Sequence, residues 1–207
     1  MRLFILQLFL FLSIASHGQR INGVFNTMPT QLLPGISDAN RARLLASPVN
    51  TAVPYILGEV TKLQHTDNFL EIRTSAVGTM QIKLLPLPRS LRRNTTIIAV
   101  IHTVCGGGCN SHISFYTTRW ERLDASRFLP DISVRNFLDS SQKETQNYKY
   151  ALSLSNILPI SAQFKESSTD ITLTFNHQYL SAPAFNEMEP FLKTDRIVLQ
   201  WRGGSFR

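Results

Sequence analysis

TTIIAVIHTVCGGGCNSHISFYTTRW, residues Thr95–Trp120, decides the fold class. β-Branched and aromatic residues dominate both sides of Gly106-Gly107-Gly108, so the spacing predicts two antiparallel strands folded back across a glycine turn. With the glycines as a three-residue loop, Cys105 lies opposite Cys109 and His102 opposite His112. Directly opposed residues of antiparallel strands sit about 4.5–5.5 Å apart, within reach of a cross-strand disulfide. Alternation then sorts the side chains. One face carries Ile97, Ala99, Ile101, Ile113 and Phe115 and is the expected core side. The other sets Ile98, Val100 and Val104 against Asn110, His112, Ser114 and Tyr116, and is expected to be only partly covered.

Two cysteines and two histidines in a tight symmetric array have the residue types of a tetrahedral zinc site. An offset of three along a strand puts His102 and Cys105 on opposite faces, so the four converge only if both strands are bulged. The disulfide, or a pair of free thiols, is the preferred reading, with His102 and His112 as the fallback metal candidates. No metal or other cofactor is expected. The candidate ligand surface is His102, His112, Tyr116 and Trp120; the two histidines read first as half-exposed surface and, as the alternative, as a pH-sensitive contact.

Upstream, EVTKLQHT, FLEIRTSAV and TMQIKLLPL alternate apolar and polar residues, broken at Asp67-Asn68 and Gly78 and closed by Pro86 and Pro88. Before them lies a helical entry. Thr27 is read as the cap of a short helix carrying Pro29 in its first turn, and Ser37 as the cap of DANRARLLA. Downstream, Asp131–Asp139 reads as a short helix, and YKYALSLSNI, PISAQFKES and DITLTFNHQYL read as strands. SAPAFNEMEP reads as a loop before a last strand in RIVLQWRGGSF. The class is α+β, mostly antiparallel sheet with short helical entry segments. LLPGIS at 32–37 and FLPDIS at 128–133 suggest a duplicated helix-plus-four-strand unit, with halves at 25–127 and 128–207.

The first residues, MRLFILQLFLFLSIASHG, set one positive residue before an apolar run and end on small residues. That is the layout of a signal peptide at 1–18, and the run is shorter than the about 20 apolar residues of a spanning helix. Residues 19–207 are then one exported α+β domain, not membrane-spanning after signal removal. A formal net charge of +7 favours anionic partners, here an anionic glycan or envelope component rather than nucleic acid. Arg89, Arg92 and Arg93 read as a solvated loop, followed by a glycosylation triplet at Asn94. The chain lacks GxSxG, HExxH, a phosphate-loop GxxxxGK and the dinucleotide fingerprint. Glu187 and Glu189 are a weak carboxylate pair. The reading is a non-enzymatic binding or structural module. The alternative is a hydrolase or metal-dependent enzyme using His102, His112 or His177.

FNTMPTQLLPGISDANRARLL, LQHTDNFLEIRTS, MQIKLLPL and HTVCGGGCNSHISFYTTRWERL together resemble an uncharacterised family of exported proteins from Bacteroidales bacteria. The likeness runs from about Phe25 to Leu138, and its most specific part is Phe115, Tyr116 and Trp120. In that family a second cysteine is not fixed, so Cys109 departs from the pattern. The resemblance implies the periplasm or cell surface of a Gram-negative bacterium, and it brings no activity.

Overall fold

A computed structural model describes residues 20–88, 96–155 and 159–207. The expected signal peptide, the arginine loop and Asn94 lie outside the described residues.

Two helices open the chain, α1 (Ile21–Asn26) and α2 (Asp38–Ala46). Ser37 caps α2 as expected, its side chain accepting from the Asn40 N–H. Thr27 does not begin a helix. It closes α1 instead, its hydroxyl bonded back to the Gly23 and Val24 carbonyls. Seven strands follow as an antiparallel meander: β1 (Ala52–Tyr55), β2 (Gly58–His65), β3 (Phe69–Arg73), β4 (Gly78–Pro86), β5 (Thr96–Cys105), β6 (Cys109–Tyr116) and β7 (Arg122–Leu123). Each pairs with its neighbours in sequence, because short turns can join antiparallel strands without a crossover. The central hairpin has the expected register, with His102 opposite His112 and Cys105 opposite Cys109.

The rest of the chain forms a second layer. Helix α3 (Gln146–Ser155) precedes β8 (Ile160–Phe164) and β9 (Ile171–Phe175); helix α4 (Ala182–Met188) precedes β10 (Arg196–Leu199). The last three strands named form an antiparallel sheet in the order β10-β9-β8, and a terminal hairpin joins β11 (Trp201–Arg202) to β12 (Ser205–Phe206) across Gly203 and Gly204, both at positive φ. Three expectations give way here. YKYALSLS is helical, burying Tyr148, Ala151 and Leu152 at the i, i+3, i+4 spacing of one helix face. SAPAFNEM is α4 rather than loop, with Ser181 accepting from the Ala184 N–H and Pro183 tolerated in the first turn. The helix expected over Asp131–Asp139 contracts to a 3-10 turn, Val134–Phe137, held by Asn136 accepting from the Ser133 N–H.

The large sheet is covered on both faces. Ile97, Ala99, Ile101 and Phe115 pack against Phe164, Ile171, Leu173 and Phe175 of the small sheet. Ile98, Val100 and Tyr116 pack with Ile21, Val24, Phe25 and Leu44 of the helices. The face expected to be half-open is therefore closed along most of the hairpin, and only its tip, at Val104, Asn110 and His112, reaches solvent. The core between the sheets draws on chain from both sides of residue 128.

Buried cations hold these layers. Arg41 donates through Nη1 to the Phe25 and Met28 carbonyls at the end of α1, and Lys62 donates to the Leu45 and Ser47 carbonyls at the end of α2. Carbonyls left free at a helix C-terminus are natural acceptors for a cation. Lys83 reaches the Glu166 carbonyl at 2.7 Å and stands 4.9 Å above the Phe69 ring. Burial pushes the Lys62 and Lys83 amines down from their ordinary values.

Candidate functional site

The four residues of the expected ligand surface are not brought together. Tyr116 and Trp120 are each 8% exposed and tilt against each other at 5.4 Å, with the Trp120 indole N–H donating to the Val24 carbonyl in α1. His102 is half-buried and His112 exposed, facing each other across β5 and β6. Burial pushes the His102 imidazole down, and the neighbouring His112 adds to the effect. Cys105 and Cys109 are joined in a disulfide, which takes both sulfurs out of thiolate ligation. Among the described residues, no group of three or more His, Cys, Asp or Glu side chains is placed to hold a metal ion. His177 stacks on Phe185 at 5.2 Å.

A different site is built where β7 stops. In an antiparallel sheet the N–H and C=O of one residue point to the same neighbour, and successive residues alternate. The Cys105 N–H donates to the Val77 carbonyl on the β4 side. Odd residues of β5 therefore serve β4, even residues of β5 and β6 serve each other, and the odd residues of β6 point outward. At one end of that outer edge the Cys109 carbonyl is taken by the Asn176 side chain at 2.7 Å; at the other end Phe115 pairs with Leu123 of β7. Ser111 and Ile113 lie between, and their backbone groups have no partner among the described residues.

The lane beside them is open because β7 is two residues long. Asp124 accepts from the Ser126 N–H at 3.0 Å, capping a 3-10 turn, Ala125–Arg127, that carries the chain out of the sheet. The Ser126 hydroxyl and then its backbone N–H, both bonded to the Asp124 carboxyl, hold that group below its ordinary value. In the vacated lane is a cleft of about 720 Å³. Its walls are Ser111 and Ile113 of β6, Ile160 and Ala162 of β8, Leu173 of β9, and the returning segment from Ala125 to Ile132. Asn110, Ser126 and Asp131 are its other polar side chains. Beyond the Pro130–Ile132 segment a second hollow, about 330 Å³, continues toward Lys193 and Ile197. No motif marks the cleft in sequence. Its one trace is Arg122-Leu123-Asp124, a strand cut short by a capping residue.

The chain matches the family described as "Protein of unknown function (DUF3256)" over residues 13–206. The chain belongs to the DUF3256 family. Among curated proteins none matches. A solved structure from Porphyromonas gingivalis W83, described as a domain of an uncharacterized protein, is similar at 24% identity and a TM-score of 0.78. That likeness covers 90% of this chain and 98% of the other, and it supports the fold alone. Membership in DUF3256 assigns no activity to the cleft.

Deeper between the sheets of this DUF3256 chain lies a polar hollow of about 250 Å³ lined by Glu71, Gln81, Thr103, Ser161, Thr172 and others. Gln81 Oε1 accepts from the Phe164 N–H at 2.8 Å, finishing part of the free edge of β8. Burial raises the Glu71 carboxyl above its ordinary value; its bond with the Gln81 side chain opposes the shift and the charge of Glu166 adds to it.

Proposed function

We propose that this protein is a non-enzymatic binding module of the bacterial envelope, and that its ligand occupies the cleft beside β6. One observation carries the reading: unpaired backbone groups at Ser111 and Ile113 face an apolar-walled space of about 720 Å³, within the size range of ligand sites. Asp131 is the one ionisable side chain among the cleft's lining residues, and the hairpin histidines lie on the opposite face of the sheet. Catalysis by acid–base pairs needs two groups within reach of one reacting atom, and a single carboxylate does not supply that. Export is supported by the signal-like first residues and by the disulfide, a bond that persists in oxidising compartments.

The test is a titration of isotope-labelled protein with fractionated envelope extract from a Bacteroidales bacterium, read by amide NMR. Shifts at Asn110, Ser126, Leu129 and Ile160, with the ligand recovered unchanged in mass, are expected. Shifts confined to the His102–His112 face, or a ligand recovered chemically altered, would overturn the reading.

A further inference from the structure

Resting on the cleft as the ligand site, we infer that its ligand is an extended polypeptide segment that adds to the large sheet as an eighth strand, paired with β6. The lane is already cut for it. Had β7 run on in register past Leu123, Ala125 would stand opposite Ile113 and Arg127 opposite Ser111. The turn capped by Asp124 withdraws Ala125 to the far wall and leaves the strand position unfilled by any of the described residues. What remains is an edge offering N–H and C=O groups from Ser111 and Ile113, two residues apart on one strand. That spacing is met by alternate residues of another extended chain and by no compact ligand so directly.

The same geometry sets the ligand's pattern. Residues facing each other across a strand pair project to the same side of the sheet. Those opposite Ser111 and Ile113 would point their side chains between the sheets, toward Ile160, Ala162 and Leu173, and so should be apolar. The residue between them would project to the other face, beside the exposed His112, and should be polar. Each apolar residue would also exchange both of its backbone hydrogen bonds with β6. A second copy of this chain fits poorly as the partner, because its own β6 edge is recessed behind the same Ala125–Ile132 wall. The opposite edge of the small sheet is partly closed. Arg196 there has its N–H and C=O both taken by the Thr194 hydroxyl.

The probe is a phage-displayed library of short peptides with apolar residues at alternate positions, selected against the full-length protein. Enriched sequences are then made synthetically, and each residue in turn is N-methylated. Binding should fall about tenfold or more when an apolar, edge-facing residue is methylated, and change little at the intervening polar ones. Ile113→Pro should abolish selection when binding is read well below its melting transition. The lost N–H serves no ladder bond, but Ile113 also packs against the inter-sheet core, so a lower melting temperature with a wild-type circular dichroism spectrum is expected. Slowed hydrogen exchange at the Ser111 and Ile113 amides should accompany binding. Equal tolerance of N-methylation at every position, or equal enrichment on wild type and Ile113→Pro, overturns strand addition. If envelope extract still shifts the cleft amides while no peptide is enriched, the cleft stands as a binding site and the strand reading falls. A shift of the protein to dimer on its own, lost in Ile113→Pro, would replace the foreign segment with a second copy.

Discussion

The Ser111 hydroxyl accepts a 2.8 Å hydrogen bond from the Ala162 N–H, so a side chain on the face of one sheet finishes the free edge of the other. Gln81 does the same for Phe164. Edge strands left open invite unwanted pairing, and here two inter-strand N–H groups of β8 are satisfied by polar side chains of the facing sheet. At Ser111 and Ile113 the edge of β6 has no such cover among the described residues. The contrast is what singles it out.

Ser111→Ala removes the acceptor and leaves a buried N–H without a partner. The expected loss is about 1–3 kcal/mol in urea denaturation, the usual cost of orphaning a buried polar group. Ser111→Thr, which keeps the hydroxyl, should recover much of it. An alanine variant as stable as wild type would mean that water replaces the hydroxyl at no cost.

Cys109→Ser opens a loop of only three residues between the linked cysteines. Closing so short a loop removes little freedom from the unfolded chain, so the expected loss is at most about 2–3 kcal/mol. Equal thermal shifts on reduction of wild type and on mutation check it. A larger loss would show that the bond also seats the turn: a side chain at Gly108 would meet Pro159 at 2.8 Å and Tyr179 at 2.9 Å, so the turn is already closely packed.

Much of the large sheet was legible in the sequence, because period-two alternation and turn residues are local signals. The hairpin register followed from three glycines alone. Ile97–Ile101, IIAVI, carried a further signal, since a continuous apolar run marks a strand covered on both faces. Alternation instead placed Ile98 and Val100 on a face expected to be only partly covered, and the structure buries the whole run. YKYALSLS satisfies both a period of two and the i, i+3, i+4 pattern, and its environment decides: Tyr148 meets Phe191 edge-on at 5.6 Å in the inter-sheet core. The cleft was illegible because it arises where two sheets cross and a strand ends early. No residue type announces that.

Trp120→Ala tests whether this ring is core or ligand surface. Truncating a buried aromatic of this size costs about 3–5 kcal/mol, and the loss here includes the bond to the Val24 carbonyl. Chemical denaturation should show that loss, while binding measured well below the transition should be unchanged. A stable variant with weakened binding would return Trp120 to the ligand surface.

Acidification should weaken the fold through His102. Its folded-state imidazole is held below the ordinary value, chiefly by burial and secondarily by His112, so the unfolded chain takes up the proton first. The stability this group contributes is complete above about pH 6.5 and falls as pH drops toward the lowered folded value. His65, also pushed down by burial, contributes in the same direction. Melting temperatures of His102→Gln and wild type should therefore converge on going from neutral to mildly acidic buffer. His112→Gln should flatten the dependence less, since it removes only the smaller cause.

Glu71 should work in the opposite sense. Burial raises its carboxyl in the folded state, so the folded chain holds its proton to higher pH than the unfolded chain does. Its contribution is most favourable below the unfolded carboxylate value, about 4.3, and declines as pH rises through the raised folded value. Above that window a charged carboxylate remains in the hollow between the sheets, facing the Gln81 side chain that also caps Phe164. Glu71→Gln keeps the shape and removes the charge. The variant should match wild type in acid and exceed it in melting temperature at neutral pH. A variant less stable than wild type at neutral pH would mean that the ionised carboxylate is held by partners stronger than the Gln81 amide.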